Sequence, residues 1–146
     1  MLRLEITTPD RTMFEGEVSS VSLPTAEGEI TVLPHHIPLM SIIAPGTAII
    51  REKGKEHVLA VSRGVVEIDG STIRVLVDTA DRAEELEESA ILKAKAAAEQ
   101  MLKEKRDDAE GFAEATALME REIARLQVVR RRHAPRRSVP MPSSGE

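Results

Sequence analysis

The stretch Gly64-Val65-Val66-Glu67-Ile68-Asp69-Gly70-Ser71-Thr72-Ile73-Arg74-Val75-Leu76-Val77 decides the fold class. It reads as two strands, Gly64–Ile68 and Thr72–Val77, joined at Asp69-Gly70. Asp-Gly is the strongest short hairpin signal, because both central residues take positive φ at little cost. Toward the N-terminus the pattern repeats. Thr47–Glu52 and Glu56–Val61 flank a second turn signal at Lys53-Gly54, and Glu29–Val32 follows Glu27-Gly28. Glu17–Leu23 and Arg3–Thr7 alternate apolar and polar residues, as half-buried strands do. Strands at this spacing, joined by Gly and Pro turns, predict an antiparallel β-sandwich or barrel over residues 1–80. A domain of about 80 residues is marginal by surface-to-volume scaling, so a partner surface would help it.

Toward the C-terminus the composition changes near residue 80. Six of the eight Gly and five of the eight Pro lie before it. Residues 81–126 are loaded with Ala, Glu, Lys, Leu and Arg, the strong helix formers. Leu86, Ala90, Ala94, Ala97 and Met101 recur at helical spacing, with Ile91, Ala98 and Leu102 widening the stripe. Asp81 with Glu84 offers a capping box for this helix, and a start nearer Leu86 is the alternative. Asp107-Asp108 and Gly111 interrupt the pattern, and Phe112, Ala115, Met119, Ile123, Leu126 and Val129 form a second stripe. So short a break makes the helices antiparallel neighbours. The expected fold class is therefore mixed, β then α: an N-terminal antiparallel β-sandwich or barrel, followed by a C-terminal antiparallel two-helix hairpin over residues 81–134. Residues 135–146 lack periodicity and are expected to be disordered. The facing stripe of the hairpin is mostly alanine. At about 25 cal/mol per Å2 of buried apolar surface it gains little, so the hairpin is expected to move more readily than the sheet.

Composition excludes several function classes. The chain has 146 residues, a net charge of −5 and no Cys, which removes disulfides, thiolate metal sites and cysteine nucleophiles. There is no Trp or Tyr and only two Phe, so base-stacking platforms are absent. With net acidity, that argues against a nucleic-acid partner. No apolar run reaches the roughly 18–20 residues of a membrane span, and the N-terminus lacks a signal-peptide layout. The expectation is a cytoplasmic protein that reaches membranes only through partners. No phosphate-binding or dinucleotide glycine loop and no G-x-S-x-G elbow occurs. His35 and His36 are adjacent, so in an extended segment they point apart and make a poor chelating pair. Glu87-Glu88 reads as a solvated helix face. The expected catalytic, metal and cofactor assignments are none.

Two features remain. Arg130-Arg131-Arg132, with Arg136 and Arg137, complements a helix C-terminus or docks on an acidic partner. The loop from Glu27 to Pro38 is either a structural turn, with Pro34 and Pro38 at sheet edges, or a docking tip carrying acid and imidazole groups.

That loop carries a resemblance. Glu27-Gly28-Glu29-Ile30-Thr31-Val32-Leu33-Pro34-His35-His36-Ile37-Pro38-Leu39 is close to E-G-E-x-G-x-L-P-G-H-x-P-L, and Pro45-Gly46 follows. Ala60-Val61-Ser62-Arg63-Gly64-Val65-Val66-Glu67-Ile68 and Val75 through Leu86 supply further matching stretches. The chain resembles the epsilon subunit of the bacterial F-type ATP synthase through about His133. The resemblance implies a non-catalytic rotor subunit of the central stalk, coupling proton-driven c-ring rotation to the gamma subunit and the catalytic head. It implies peripheral attachment at the cytoplasmic face of the bacterial inner membrane. The sandwich would bind gamma and the c ring, with Glu29 and His36 in the c-ring contact loop. The hairpin would be regulatory. When extended it would reach the alpha and beta subunits of the head and inhibit ATP hydrolysis, with Arg121, Arg125, Arg130, Arg131 and Arg132 as candidate head contacts. Two family glycines are replaced, by Thr31 and His35. Some members sense ATP through I/L-D-x-x-R-A at the start of the first helix. The aligned residues are Leu86 to Ile91, with Glu87 for the Asp and Ala90 for the Arg, which removes a donor fork for phosphate. The implied behaviour is no ATP sensing by this route. Outside the resemblance, the alternative is an unrelated interaction module built from a β-sandwich and a helical hairpin.

Overall fold

Short turns set the strand pairing. The computed structural model describes residues 1–133, with side chains through Arg131. The tail expected to be disordered, residues 135–146, lies outside the described residues. The chain forms β1 (Leu2–Thr7), β2 (Thr12–Val18), β3 (Ser20–Thr25), β4 (Gly28–Val32), β5 (His36–Ile43), β6 (Gly46–Glu52), β7 (Lys55–Val61), β8 (Gly64–Gly70), β9 (Thr72–Val77) and β10 (Ala80–Arg82). A 3-10 turn at Ala83–Glu85 leads to α1 (Glu88–Glu104) and α2 (Ala109–His133). Between β6 and β7, Lys53 and Gly54 take φ of 38° and 80°, the two positive values a type I′ hairpin needs. Between β8 and β9, Asp69 pairs with Thr72, so the turn residues are Gly70 and Ser71. The turn therefore sits one residue later than Asp69-Gly70. Gly70, at φ 61°, meets the requirement of a Gly-first hairpin.

The strands form one curled sheet in the order β10-β7-β6-β3-β5-β8-β9-β1-β2, with β4 paired to β3. Arg82 Nη2 donates to the Met13 carbonyl at 3.2 Å and so ties β10 to β2, the two edges. The barrel is thus nearly closed. Its pairs are antiparallel except β1 with β9, which run parallel. One expected strand, Glu17–Leu23, is two. β2 ends at Val18, opposite Leu2, and β3 begins at Ser20, opposite Arg51. At the junction the Ser19 N–H and hydroxyl both donate to the Arg51 carbonyl at 2.8 Å. No Gly or Pro marks this corner, which is why the alternation runs through it. β5 was hidden for the opposite reason: it contains Pro38. A register shift between His36 and Leu39 accommodates the missing donor.

The core is aliphatic and drawn from residues 2–80. Leu2, Leu4 and Ile6 of β1, Val66 and Ile68 of β8, and Ile73, Val75 and Val77 of β9 point inward with Leu23, Ile43, Ile50 and Leu59. The hairpin does not share this core. α2 lies on β6 and β7 through a separate small cluster of Ala60, Ala83, Ala124 and Val128, flanked by Val58 and Leu86. α1 meets α2 through Ile91, Leu126 and Val129. The buried side of α1 is therefore centred on Ile91 and Ala98, while Ala90 and Ala97 are exposed. Phe112 and Ile123 of the expected second stripe are also exposed. α2 must serve two surfaces, α1 and the sheet, and no single stripe can do both. Asp81 does not cap a helix. It lies in β10, and α1 starts at Glu88 after an N-cap, Glu87, that makes no side-chain cap bond.

The two glycine replacements have different consequences. Thr31 sits in β4 and its hydroxyl bonds that of Ser22 at 2.9 Å, so nothing there requires glycine. His35 follows Pro34 in the β4–β5 turn with φ 66°. Proline then a positive φ is the type II pattern, which favours glycine at the second position. His35→Gly should therefore raise stability, by up to about 1 kcal/mol once glycine's own entropy is counted. Urea unfolding checks this. An unchanged or lower midpoint would mean that the histidine side chain compensates for its backbone.

Candidate functional site

Three surfaces stand out. The first is the outer face of β5, β8 and β9. Strand alternation sends Val66, Val75 and Val77 inward, so their apolar neighbours face out. Ile42 pairs with Val65, and Val65 pairs with Leu76, giving a continuous apolar row across three strands. These residues are 61%, 45% and 56% exposed. Met40 extends the row along β5, and Ile37 at 75% and Leu33 continue it toward the β4–β5 turn. Contiguous exposed apolar surface of this kind marks an interaction site. The sequence signal was present in Val65-Val66 and Val75-Leu76-Val77, where consecutive apolar residues leave both faces of a strand apolar. The row itself needed the register.

The second surface is the β4–β5 turn. Glu29 is exposed on β4, opposite Pro24, and His36 is half-buried at the start of β5, opposite Gly70. The turn thus lies beside the β8–β9 turn. The His36 Nδ1 lies 2.6 Å from the Ile37 carbonyl, which can only accept, so Nδ1 carries the proton and Nε2 is left for a partner.

The third surface is the arginine side of α2, where most described candidate cations are already engaged. Arg125 Nε donates to Asp81 Oδ2 at 2.7 Å, and its Nη1 to Glu122 Oε1 at 2.9 Å. Arg121 reaches the same Glu122 oxygen at 3.2 Å. Arg130 Nε meets Glu88 of α1 at 3.3 Å. Arg131 is exposed, and the side chain of Arg132 lies outside the described residues. Arg63, from the β7–β8 loop, makes a two-pronged contact with Glu120 of α2 at 3.0 and 2.8 Å. Those hydrogen bonds, then the glutamate's charge, raise the Arg63 pKa above the ordinary arginine value. Glu120 and Glu122 carry no signal in the sequence reading, and Asp81 appears there only as a helix cap. The i, i+3 spacing of Glu122 and Arg125 was a local clue, but Asp81 and Arg63 are brought in by the fold. Glu87 and Ala90 line a cleft of about 440 Å3 between α1 and α2, shared with Arg121, Glu122 and Arg125.

Fold and surfaces define a class: a β-sandwich with a C-terminal helical hairpin, built for docking. The family model described as "ATP synthase, Delta/Epsilon chain, beta-sandwich domain" matches residues 1–83. The ATP synthase epsilon chain of Chromobacterium violaceum is 42% identical over 130 residues, covering 88% of this chain and 92% of that one. That of Nitratidesulfovibrio vulgaris is 39% identical over 127 residues, covering 87% and 94%. A chain in the cryo-EM structure of the Euglena gracilis mitochondrial ATP synthase, comprising OSCP, F1 and c-ring, shares the fold. It has a TM-score of 0.69 and 22% identity over 82% of this chain and 75% of that one.

The chain belongs to the family of ATP synthase epsilon chains, non-catalytic central-stalk subunits of the rotary complex. It is thus part of a membrane-associated assembly, and no described helix is long and apolar enough to cross a membrane.

Proposed function

We propose that the sheet domain couples the proton-driven c ring to gamma, and that the hairpin restrains ATP hydrolysis by leaving the sheet for the alpha–beta head. In this reading the row Ile42-Val65-Leu76 faces gamma, and the β4–β5 turn with Glu29 and His36 meets the c ring. The arginine side of α2 (Arg121, Arg125 and Arg130 to Arg132) meets acidic groups of the head. The protein works at the cytoplasmic face of a bacterial inner membrane, held there by its partners. The observation that carries the reading is the unequal packing of the two parts. The barrel has its own aliphatic core, whereas the hairpin rests on it through a small alanine–valine cluster and ion pairs. An element that changes position needs two states within a few kcal/mol of each other, and a small contact of this kind supports that reading.

The test is ATP hydrolysis by the head–gamma complex, with the full chain and with a chain ending at Glu85, which retains all ten strands. The full chain should inhibit and the short one should bind without inhibiting. Binding by both with inhibition by neither would remove the regulatory half of the proposal. Failure of both to bind gamma would remove the docking half.

A further inference from the structure

The cleft between α1 and α2 holds a carboxylate in an unusual position. Glu122 is 1% exposed, the most buried charged side chain among the described residues. One oxygen, Oε1, accepts from both Arg121 and Arg125. The other, Oε2, is buried with no hydrogen-bond partner. Across the cleft α1 presents Ala90 and Ala94, too short to reach either arginine, and Glu85 and Glu87 stand on the same lining. Two guanidinium groups that meet at one carboxylate oxygen form an anion seat, since each offers a planar fork of donors to a carboxylate or phosphate. Here the seat is taken by the chain's own side chain.

We propose that Glu122 is a built-in counter-anion. It occupies the anion seat formed by Arg121 and Arg125, so the compact hairpin forms without a soluble anionic ligand. Asp81 completes the set by holding Arg125 from the sheet side. The two arginines are then charge-compensated from within α2 and β10. A free phosphate or nucleotide gains nothing by entering, because it would displace a carboxylate that cannot diffuse away. The proposal concerns the isolated chain and does not depend on contacts with gamma or the head.

The experiment uses the full chain and inorganic pyrophosphate as probe. Calorimetric titration and thermal unfolding are run on wild type, Glu122→Ala and Glu122→Gln. Wild type should show no saturable binding at millimolar pyrophosphate. Glu122→Ala should bind at least about tenfold more tightly than wild type and gain thermal stability as pyrophosphate is added, because vacated arginines accept the new anion. Adding Arg125→Ala to that variant should abolish the gain. Glu122→Gln keeps the side-chain shape and removes the charge, so it should show the same gain in weaker form even if the alanine variant folds poorly. Wild-type binding as tight as that of the variants would overturn the proposal. So would native helix content in either variant with no gain in pyrophosphate affinity.

Discussion

Val65→Asp combined with Leu76→Asp is expected to abolish association with gamma while leaving the chain folded. The two residues are directly paired neighbours on adjacent strands, and both side chains face solvent in the isolated protein. A charged group there costs the barrel little. In a complex that covers the row, the substitutions lose the burial of two aliphatic side chains, about 1.5–3 kcal/mol each. They also force desolvation of two carboxylates with no partner. Together this amounts to at least about a hundredfold loss of affinity. Pull-down or calorimetry with purified gamma measures it, and circular dichroism verifies the fold. Lys55→Asp, a charge change at the β6–β7 turn, serves as the control and should bind normally. Retained binding by the double variant would place gamma on another face of the barrel.

Gly64→Ala is expected to produce the largest loss of stability of any single methyl addition in the sheet. A Cβ at this position would lie 1.9 Å from the Leu76 carbonyl oxygen and 2.7 Å from the Val77 Cα. Both are backbone atoms of the paired strand, so no rotamer change can relieve the clash, and β8 and β9 must separate locally. Overpacking costs about 1–3 kcal/mol where side chains can adjust, and a backbone clash belongs at or above the top of that range. For a chain of this size that is a fall in Tm of roughly 10 °C. Gly16→Ala is the internal comparison, because its added methyl would meet only the Phe14 ring, at 3.8 Å. Equal melting temperatures for the two variants would contradict the close approach at Gly64.

Much of the architecture is legible in the sequence. Turn chemistry at Lys53-Gly54 and near Gly70, alternation in β1 and β9, and the composition change near residue 80 are local signals. They report local conformation directly. The misreadings share one cause. Strand β5 was masked by Pro38, whose missing donor is tolerated only because the register against β8 shifts there. Asp81 looked like a cap because Glu84 follows it at the right spacing, yet β10 pairs with β7 and holds it in the sheet. The exposure of Phe112 and Ile123 followed from α2 dividing its apolar surface between α1 and the sheet. In each case a contact distant in sequence overrode a sound local preference.

The functional surfaces divide in the same way. The loop from Glu27 to Leu39 and the Ser62-Arg63-Gly64 stretch were distinctive as strings and carried the family resemblance. The outward row of Ile42, Val65 and Leu76 was not, because it depends on which residues three strands set side by side. Nor was the seat of Glu122, where an arginine of α2 meets an aspartate 44 positions earlier in the chain. The sequence by itself determined that strands come first, that helices follow, and, to within a residue, where the turns at Lys53-Gly54 and Gly70 fall. Those depend on periodicity and backbone preference within a few residues. Only the tertiary structure decided which apolar residues stay outside, which helix face is buried and which carboxylate compensates which arginine. Those depend on strand register and on the packing of distant segments, which local periodicity does not specify.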